Sequence, residues 1–255
     1  MFKKLIFLVV VFLSPLIQQD ILAKNPPNEP INEQVVLLHG IARSSAHMEE
    51  LEEFLSEAGY DVVNVNYPST KFNISELIDI ISHDLEKKVS SKKKVNFVGY
   101  SMGGLMVRGI INRYKYENLG RVVQIASPNH GSEVADFLED NWLFNEIYGP
   151  AGKELRTNQD KVKNLLGNID YELGVIAGNG TIDPISSAII PGDDDGKVSI
   201  ESTKIDGMKD HIVVFSSHTF FPSDEEAKKQ VLHFLKNGEF KKEKQWWEKI
   251  TEFLR

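Results

Sequence analysis

The feature that most constrains this chain is the run Lys94-Val95-Asn96-Phe97-Val98-Gly99-Tyr100-Ser101-Met102-Gly103. Val95 to Val98 is short and apolar, as in a strand buried on both faces of a parallel sheet. Beyond it, Leu105, Met106, Ile110 and Ile111 recur with helical spacing as far as Arg113. Between strand and helix stands Gly99-Tyr100-Ser101-Met102-Gly103, a G-x-S-x-G match in the context that a strained serine corner requires. The glycines at 99 and 103 remove the Cβ atoms that would block a close strand-to-helix approach. Met102 opens the helix, so its N–H points at negative charge forming beside Ser101 and is a candidate oxyanion donor.

The rest of the chain repeats the alternation. Apolar runs at Gln34–Leu38, Asp61–Asn66, Arg121–Ile125, Glu172–Ala177 and His211–Ser216 predict five further strands. Helical stripes fall between them. One starts from a serine cap near Ser45 and runs to Ala58, stopped by Gly59, and one is capped by Asn73 with Glu76 three residues on. Others cover Glu133–Tyr148, broken by Gly149-Pro150, and Asn158–Leu166, and a last one follows a capping box of Ser223 and Glu226. Strands alternating with helices imply an α/β fold: a mostly parallel central sheet with helices on both faces. No internal repeat interrupts it.

Length and charge narrow the classes. The 255 residues suit one large α/β domain, expected over 34–255. The formal net charge of −8 disfavours a nucleic-acid partner. With no cysteine, disulfides, thiolate zinc sites and a cysteine nucleophile are excluded. Lys3-Lys4, the apolar run Leu5–Leu13 and a more polar stretch to Ala23 have the pattern of a secretory signal over residues 1–23. Export, secreted or periplasmic, is therefore expected, with an uncleaved N-terminal anchor as the alternative. Residues 24–33, rich in proline and asparagine, form a linker.

A serine hydroxyl near neutral pH needs an adjacent base. In enzymes built on such a corner the order along the chain is serine, acid, histidine. Of the seven histidines, His39, His47, His83 and His130 come too early for an acid to intervene, His211 opens a strand and His233 lies in a helix. His218, just past the last strand, emerges at the strand ends where Ser101 is displayed, and is the candidate base. The candidates for the acid after Glu172–Ala177 are Asp183, Asp193, Asp194, Asp195, Asp206 and Asp210; Asp195 is favoured because Gly196 permits a turn that brings the carboxylate inward, with Asp194 and Asp193 as near rivals. Adjacent carboxylates do not converge on one ion, and the glutamate that would complete a calcium loop is missing, so no metal is expected. The second oxyanion donor is expected from His39-Gly40-Ile41, as Ile41 N–H, with His39 a loop-bracing residue.

These pieces together resemble the small bacterial lipases and esterases of the α/β-hydrolase superfamily. The resemblance spans about Gln34 to Lys236. It rests on Val-Val-Leu-Leu-His-Gly, Gly-Tyr-Ser-Met-Gly-Gly, Ser-Pro-Asn-His-Gly-Ser, Asp-Gly-Lys-Val-Ser and Ser-His-Thr. It implies the α/β-hydrolase fold, an aspartate of Asp-Gly-Lys-Val-Ser as the third member of the triad, and cofactor-independent hydrolysis of lipid or other acyl esters through an acyl-serine. The disulfide of some secreted lipases is impossible here, and Ser-Pro stands where relatives often have Thr-Pro. Two alternatives stay open: an acyltransferase or thioesterase with the same triad, and a non-catalytic binding protein. The apolar content of Glu133–Tyr148 suits a lid within 133–170 or an ordinary covering helix. The terminal stretch Lys241–Arg255, with Trp246-Trp247, either packs on the domain or makes transient contact with a lipid interface. Acyl-chain length and oligomeric state are not legible in these residues.

Overall fold

Six parallel strands form one sheet in the order β2-β1-β3-β4-β5-β6. A computed structural model describes residues 30–157 and 160–242, except the side chains of 143–145, 160 and 161. The expected signal and the Trp246-Trp247 stretch lie outside the described residues. The strands are β1 (Glu33–Leu38), β2 (Asp61–Val65), β3 (Lys94–Tyr100), β4 (Leu119–Ile125), β5 (Leu173–Gly178) and β6 (Asp210–Val214). Helices α1 (Glu49–Glu57), α2 (Ile74–Lys88) and α3 (Met102–Tyr114) follow the first three strands. Helices α4 (Glu133–Phe137), α5 (Trp142–Glu154) and α6 (Asp160–Leu166) lie between β4 and β5. Then come α7 (Pro184–Ser187), α8 (Ile200–Thr203) and the long α9 (Glu225–Asn237).

Strand alternation divides the core into two layers. Val36, Leu38, Val95 and Phe97 face one side, against Ile74, Ile78 and Ile81 of α2 and Met106 and Ile110 of α3. Val35, Leu37, Val98 and Tyr100 face the other, against Leu51 and Leu55 of α1 and Val231, Phe234 and Leu235 of α9. The inner strands β1 and β3 therefore bury both faces, which explains their near-continuous apolar runs. Because all six strands run the same way, the loops after β1, β3, β4, β5 and β6 leave from one edge of the sheet. That edge gathers the functional residues.

Local chemistry sets several boundaries. The capping box of α2 is formed: Asn73 Oδ1 accepts from Glu76 N, and Glu76 Oε2 accepts from Asn73 N, both at 3.0 Å. Three expectations are corrected. Near Ser45 the chain first makes a 3₁₀ turn, Ser45–Met48, and α1 begins only at Glu49. The last helix is capped not by Ser223 with Glu226 but by Asp224, whose Oδ1 accepts from Ala227 N at 2.9 Å. Ser223 is taken up in a 3₁₀ turn, His218–Ser223, and its hydroxyl donates to Phe220 O. Glu133–Tyr148 is not one helix: α4 ends at Phe137, capped by Ser132, and α5 starts anew at Trp142. The bend expected at Gly149-Pro150 lies inside α5, where Gly149 has φ 62°.

Backbone meets backbone closely where α3 crosses β3 and β1. A Cβ on Gly99 would lie 2.4 Å from Gly104 Cα, and one on Gly103 would lie 2.2 Å from Leu38 O. Both neighbours are backbone, so neither can swing away. Gly103→Ala is expected to destabilise the fold by about 1–3 kcal/mol or prevent its formation, through overpacking. A urea or thermal midpoint equal to that of the parent chain would show that α3 can shift without cost.

Candidate active site

Ser101 sits at the β3–α3 corner with φ 54° and ψ −125°, a strained state for a residue with a Cβ. The strain is held by a hydrogen bond from Ser101 N to Ile125 O at 2.8 Å and by the glycine contacts just described. The residue is 7% exposed. His218 Nε2 lies 3.0 Å from Ser101 Oγ, and His218 Nδ1 lies 2.8 Å from Asp195 Oδ2. Serine, imidazole and carboxylate thus form one hydrogen-bonded line, although they come from three loops up to 117 residues apart.

Asp195 is separated from its neighbours by the turn at Gly196, which has φ 94°. Its Oδ1 accepts from Lys197 N at 3.0 Å and Val198 N at 2.8 Å, leaving Oδ2 for His218. These contacts give both carboxylate oxygens hydrogen-bond partners, on a residue only 1% exposed. Asp194 points elsewhere: its Oδ1 accepts from Ser187 Oγ at 2.6 Å and Gly196 N at 2.7 Å. Asp193 contributes its carbonyl to Ile200 N. Of the three consecutive aspartates, Asp195 is the one whose carboxylate lies beside His218.

His218 is held from both ends. Its backbone N–H donates to Asp195 O at 2.8 Å, and its carbonyl accepts from Tyr100 Oη at 2.7 Å. The Tyr100 ring also stacks obliquely on the imidazole, with centroids 5.2 Å apart. Tyr100 was hidden in the sequence as the variable residue of G-x-S-x-G; its place between β3 and Ser101 was the signal available. On the other side of Tyr100 lies His47, ring centroids 5.2 Å apart.

The loop after β1 is braced in the same manner. His39 is buried, with Nδ1 2.8 Å from Gly40 O and Nε2 accepting from Tyr67 N at 3.3 Å, and it stacks on the Tyr67 ring. Tyr67 Oη donates to His39 O, and Ser69 Oγ accepts from Ala42 N at 3.1 Å. These contacts hold Ile41 at the cleft beside Ser101. Among the described residues, neither Ile41 N–H nor Met102 N–H donates a hydrogen bond, so both remain available to an incoming oxygen. Ser127 to Ser132 is pinned by Asn129. Its Nδ2 donates to Gln124 Oε1 and Thr203 O, both at 2.7 Å, and its Oδ1 accepts from the buried Arg108. His130 in that loop is exposed, away from Ser101.

A cleft of about 830 Å³, open to solvent, leads down to Ser101 and His218. One wall is apolar: Val134, Ala135, Leu138, Tyr148 and Leu155 from α4, α5 and their junctions. The wall's two ends are tied together, Ser132 N donating to Leu155 O at 2.9 Å. Phe137 and Trp142, on the outer surface of the same segment, are 67% and 75% exposed.

The family model of the palmitoyl protein thioesterases matches residues 34–168, more than half of the chain. The chain belongs to this family. The match ends before Asp195 and His218, so it covers the serine corner and the loop of Ile41 but not the other two residues. No curated protein sequence gives a significant match. Solved structures extend the likeness of fold to the whole domain. The mature lipase BlEst2 of Bacillus licheniformis is 19% identical, with a TM-score of 0.66, over 84% of this chain and 96% of its own. A metagenomic carboxyl esterase is 18% identical, with a TM-score of 0.61, over 77% of this chain and 68% of its own. The type II thioesterase BorB from the borrelidin biosynthetic cluster is 15% identical, with a TM-score of 0.51, over 83% of this chain and 94% of its own. This palmitoyl protein thioesterase family member thus has the α/β-hydrolase fold of lipases, esterases and thioesterases.

Three wholly or partly buried histidines carry a pH consequence. Burial pushes the pKa of His47 down from 6.5 to about 4, aided by the nearby charge of Arg43; burial also lowers those of His39 and His211. The unfolded chain takes up these protons near pH 6.5, whereas the folded chain resists them. Stability is therefore expected to fall as pH drops from about 6.5 towards 4. Melting temperatures at pH 7 and pH 5 measure this; in His47→Gln the drop should be smaller, and an unchanged drop would remove His47 from the account.

Proposed function

We propose that the chain hydrolyses acyl esters, oxygen or sulfur, with Ser101 as nucleophile, His218 as general base and acid, and Asp195 as the residue that orients His218. The observation that supports this most directly is the hydrogen-bonded line from Ser101 Oγ through the His218 ring to Asp195, with spacings of 3.0 and 2.8 Å. Asp195 Oδ2 accepts a hydrogen bond from His218 Nδ1–H and so fixes the tautomer, which leaves Nε2 free to accept the hydroxyl proton as Oγ attacks the carbonyl carbon. Charge on the carbonyl oxygen falls between the N–H groups of Ile41 and Met102, the latter at the positive end of α3. As the tetrahedral species collapses, His218 gives the proton to the departing alcohol or thiol. Water then enters by the same route, releasing the acid and restoring Ser101.

The acyl chain would lie along Val134, Leu138 and Leu155, whose burial of methylenes favours binding by about 0.8 kcal/mol each. Membership in a thioesterase family favours sulfur esters as substrates beside oxygen esters. The exposed Phe137, Trp142 and Ile147 on the wall, and Phe220 two residues after His218, support delivery of the substrate from a lipid surface.

Ser101→Ala is expected to reduce turnover of p-nitrophenyl esters by at least about 10⁴-fold and to abolish labelling by a fluorophosphonate probe. Undiminished turnover would refute the role of Ser101. Asp195→Asn should cost on the order of 10⁴-fold in kcat, since the amide leaves the wrong tautomer facing Ser101. Asp194→Asn should cost far less, because its carboxylate holds Ser187 and Gly196 instead. The reverse order of the two losses would reassign the acid.

A further inference from the structure

The acyl wall accounts for one side of the cleft and leaves the charge of the other unexplained. The chain as a whole is acidic, with a formal net charge of −8. Yet among the described residues lining the cleft none is acidic, and two, Arg43 and Lys197, are cationic. They differ in one respect. Lys197 Nζ donates to Asp183 Oδ2 at 2.6 Å and Ser186 Oγ at 3.1 Å, so its charge is already compensated. Arg43 is exposed and has no carboxylate partner among the described residues; its hydrogen bond runs to Ala42 O at 3.4 Å.

The place of Arg43 gives that free charge a meaning. It lies two residues past Ile41, ahead of the 3₁₀ turn Ser45–Met48. Its charge bears on His47 and Tyr100, and the Tyr100 ring packs against the His218 imidazole. Arg43 therefore belongs to the His218 flank of Ser101, whereas the apolar wall is built from α4 and α5. His218 must hand its proton to the departing oxygen or sulfur, so the leaving group lies on this same flank. A guanidinium there meets the alcohol or thiol half of the substrate, and its planar fork of donors matches a phosphate.

Resting on the serine-hydrolase reading above, we propose that Arg43 selects substrates whose leaving group carries a phosphate, as in an acyl ester of glycerol phosphate or of a phosphopantetheine thiol. The bond broken is still the acyl C–O or C–S bond. The acyl group passes to Ser101 Oγ and then to water, and the phosphate-bearing alcohol or thiol leaves with the proton from His218.

The test compares substrates that share one acyl chain. 1-Octanoylglycerol 3-phosphate is set against 1-octanoylglycerol, and octanoyl coenzyme A against S-octanoyl-N-acetylcysteamine, with the purified full chain. The parent chain should show higher kcat/KM for the phosphorylated member of at least one pair. Arg43→Gln should lower that preference roughly tenfold, mainly through KM, the size of one charge-assisted contact. Arg43→Lys should retain part of it, and added salt should weaken it in the parent chain more than in Arg43→Gln. A response in the glycerol pair alone identifies a glycerol phosphate, and a response in the thioester pair a phosphopantetheine thiol; either supports the proposal. An Arg43→Gln chain with an unchanged preference, or a parent chain with none while neutral esters are still cleaved, overturns it. Should the parent chain cleave no ester at all, the hydrolase reading falls, and this proposal with it.

Discussion

The rest of the structure depends on the close passage of α3 across β3 and β1. Gly99, Gly103 and Gly104 bring backbone against backbone there, and Ser101 pays for the approach with a positive φ that a serine seldom adopts. A packed sheet is what makes this state affordable to the chain as a whole: Val95, Phe97, Val98 and Tyr100 are all nearly or fully buried on its two faces. Strain at one residue is thus held by hydrophobic burial along a whole strand. The strained turn also separates Ser101 Oγ from its own helix and aims it at a loop from the far end of the chain.

Around that corner, precision comes from backbone groups rather than from many side chains. Asp195 is oriented by the amides of Lys197 and Val198, His218 by its own amide and carbonyl, and the Ile41 loop by His39, Tyr67 and Ser69. Each of these contacts is buried or half-buried, where a hydrogen bond left unmade would cost about 1–3 kcal/mol. The geometry of the line Ser101–His218–Asp195 is accordingly locked before any substrate enters, which is what an electrostatically preorganised site requires.

How much of this was legible in the sequence depends on the range of the interaction. The strands could be read because parallel strands buried on both faces leave uninterrupted runs such as Gln-Val-Val-Leu-Leu, and α2 because Asn73 and Glu76 cap it locally. Ser101 and His218 could be singled out because a turn motif and strand polarity place them on one edge. The division of Glu133–Tyr148 into α4 and α5 could not, since the apolar residues serve a cleft wall as well as a helix face. Ser223 and Asp224 both suit a cap, and only the 3₁₀ turn that absorbs Ser223 decides between them. Likewise three adjacent aspartates look alike in one dimension; the φ of 94° at Gly196 and the amides beyond it separate them. Ser69 acts across a tertiary distance and leaves no local mark.

The short bridge from Ser132 N to Leu155 O has a further meaning. It brings the two ends of the segment between them together, so that the segment forms a closed loop beside the cleft. Closing a longer or shorter segment across the same point costs little, since the entropy of loop closure grows only slowly with length. The apolar wall of the cleft can therefore change in length while the sheet and the Ser101 corner beneath it stay as they are.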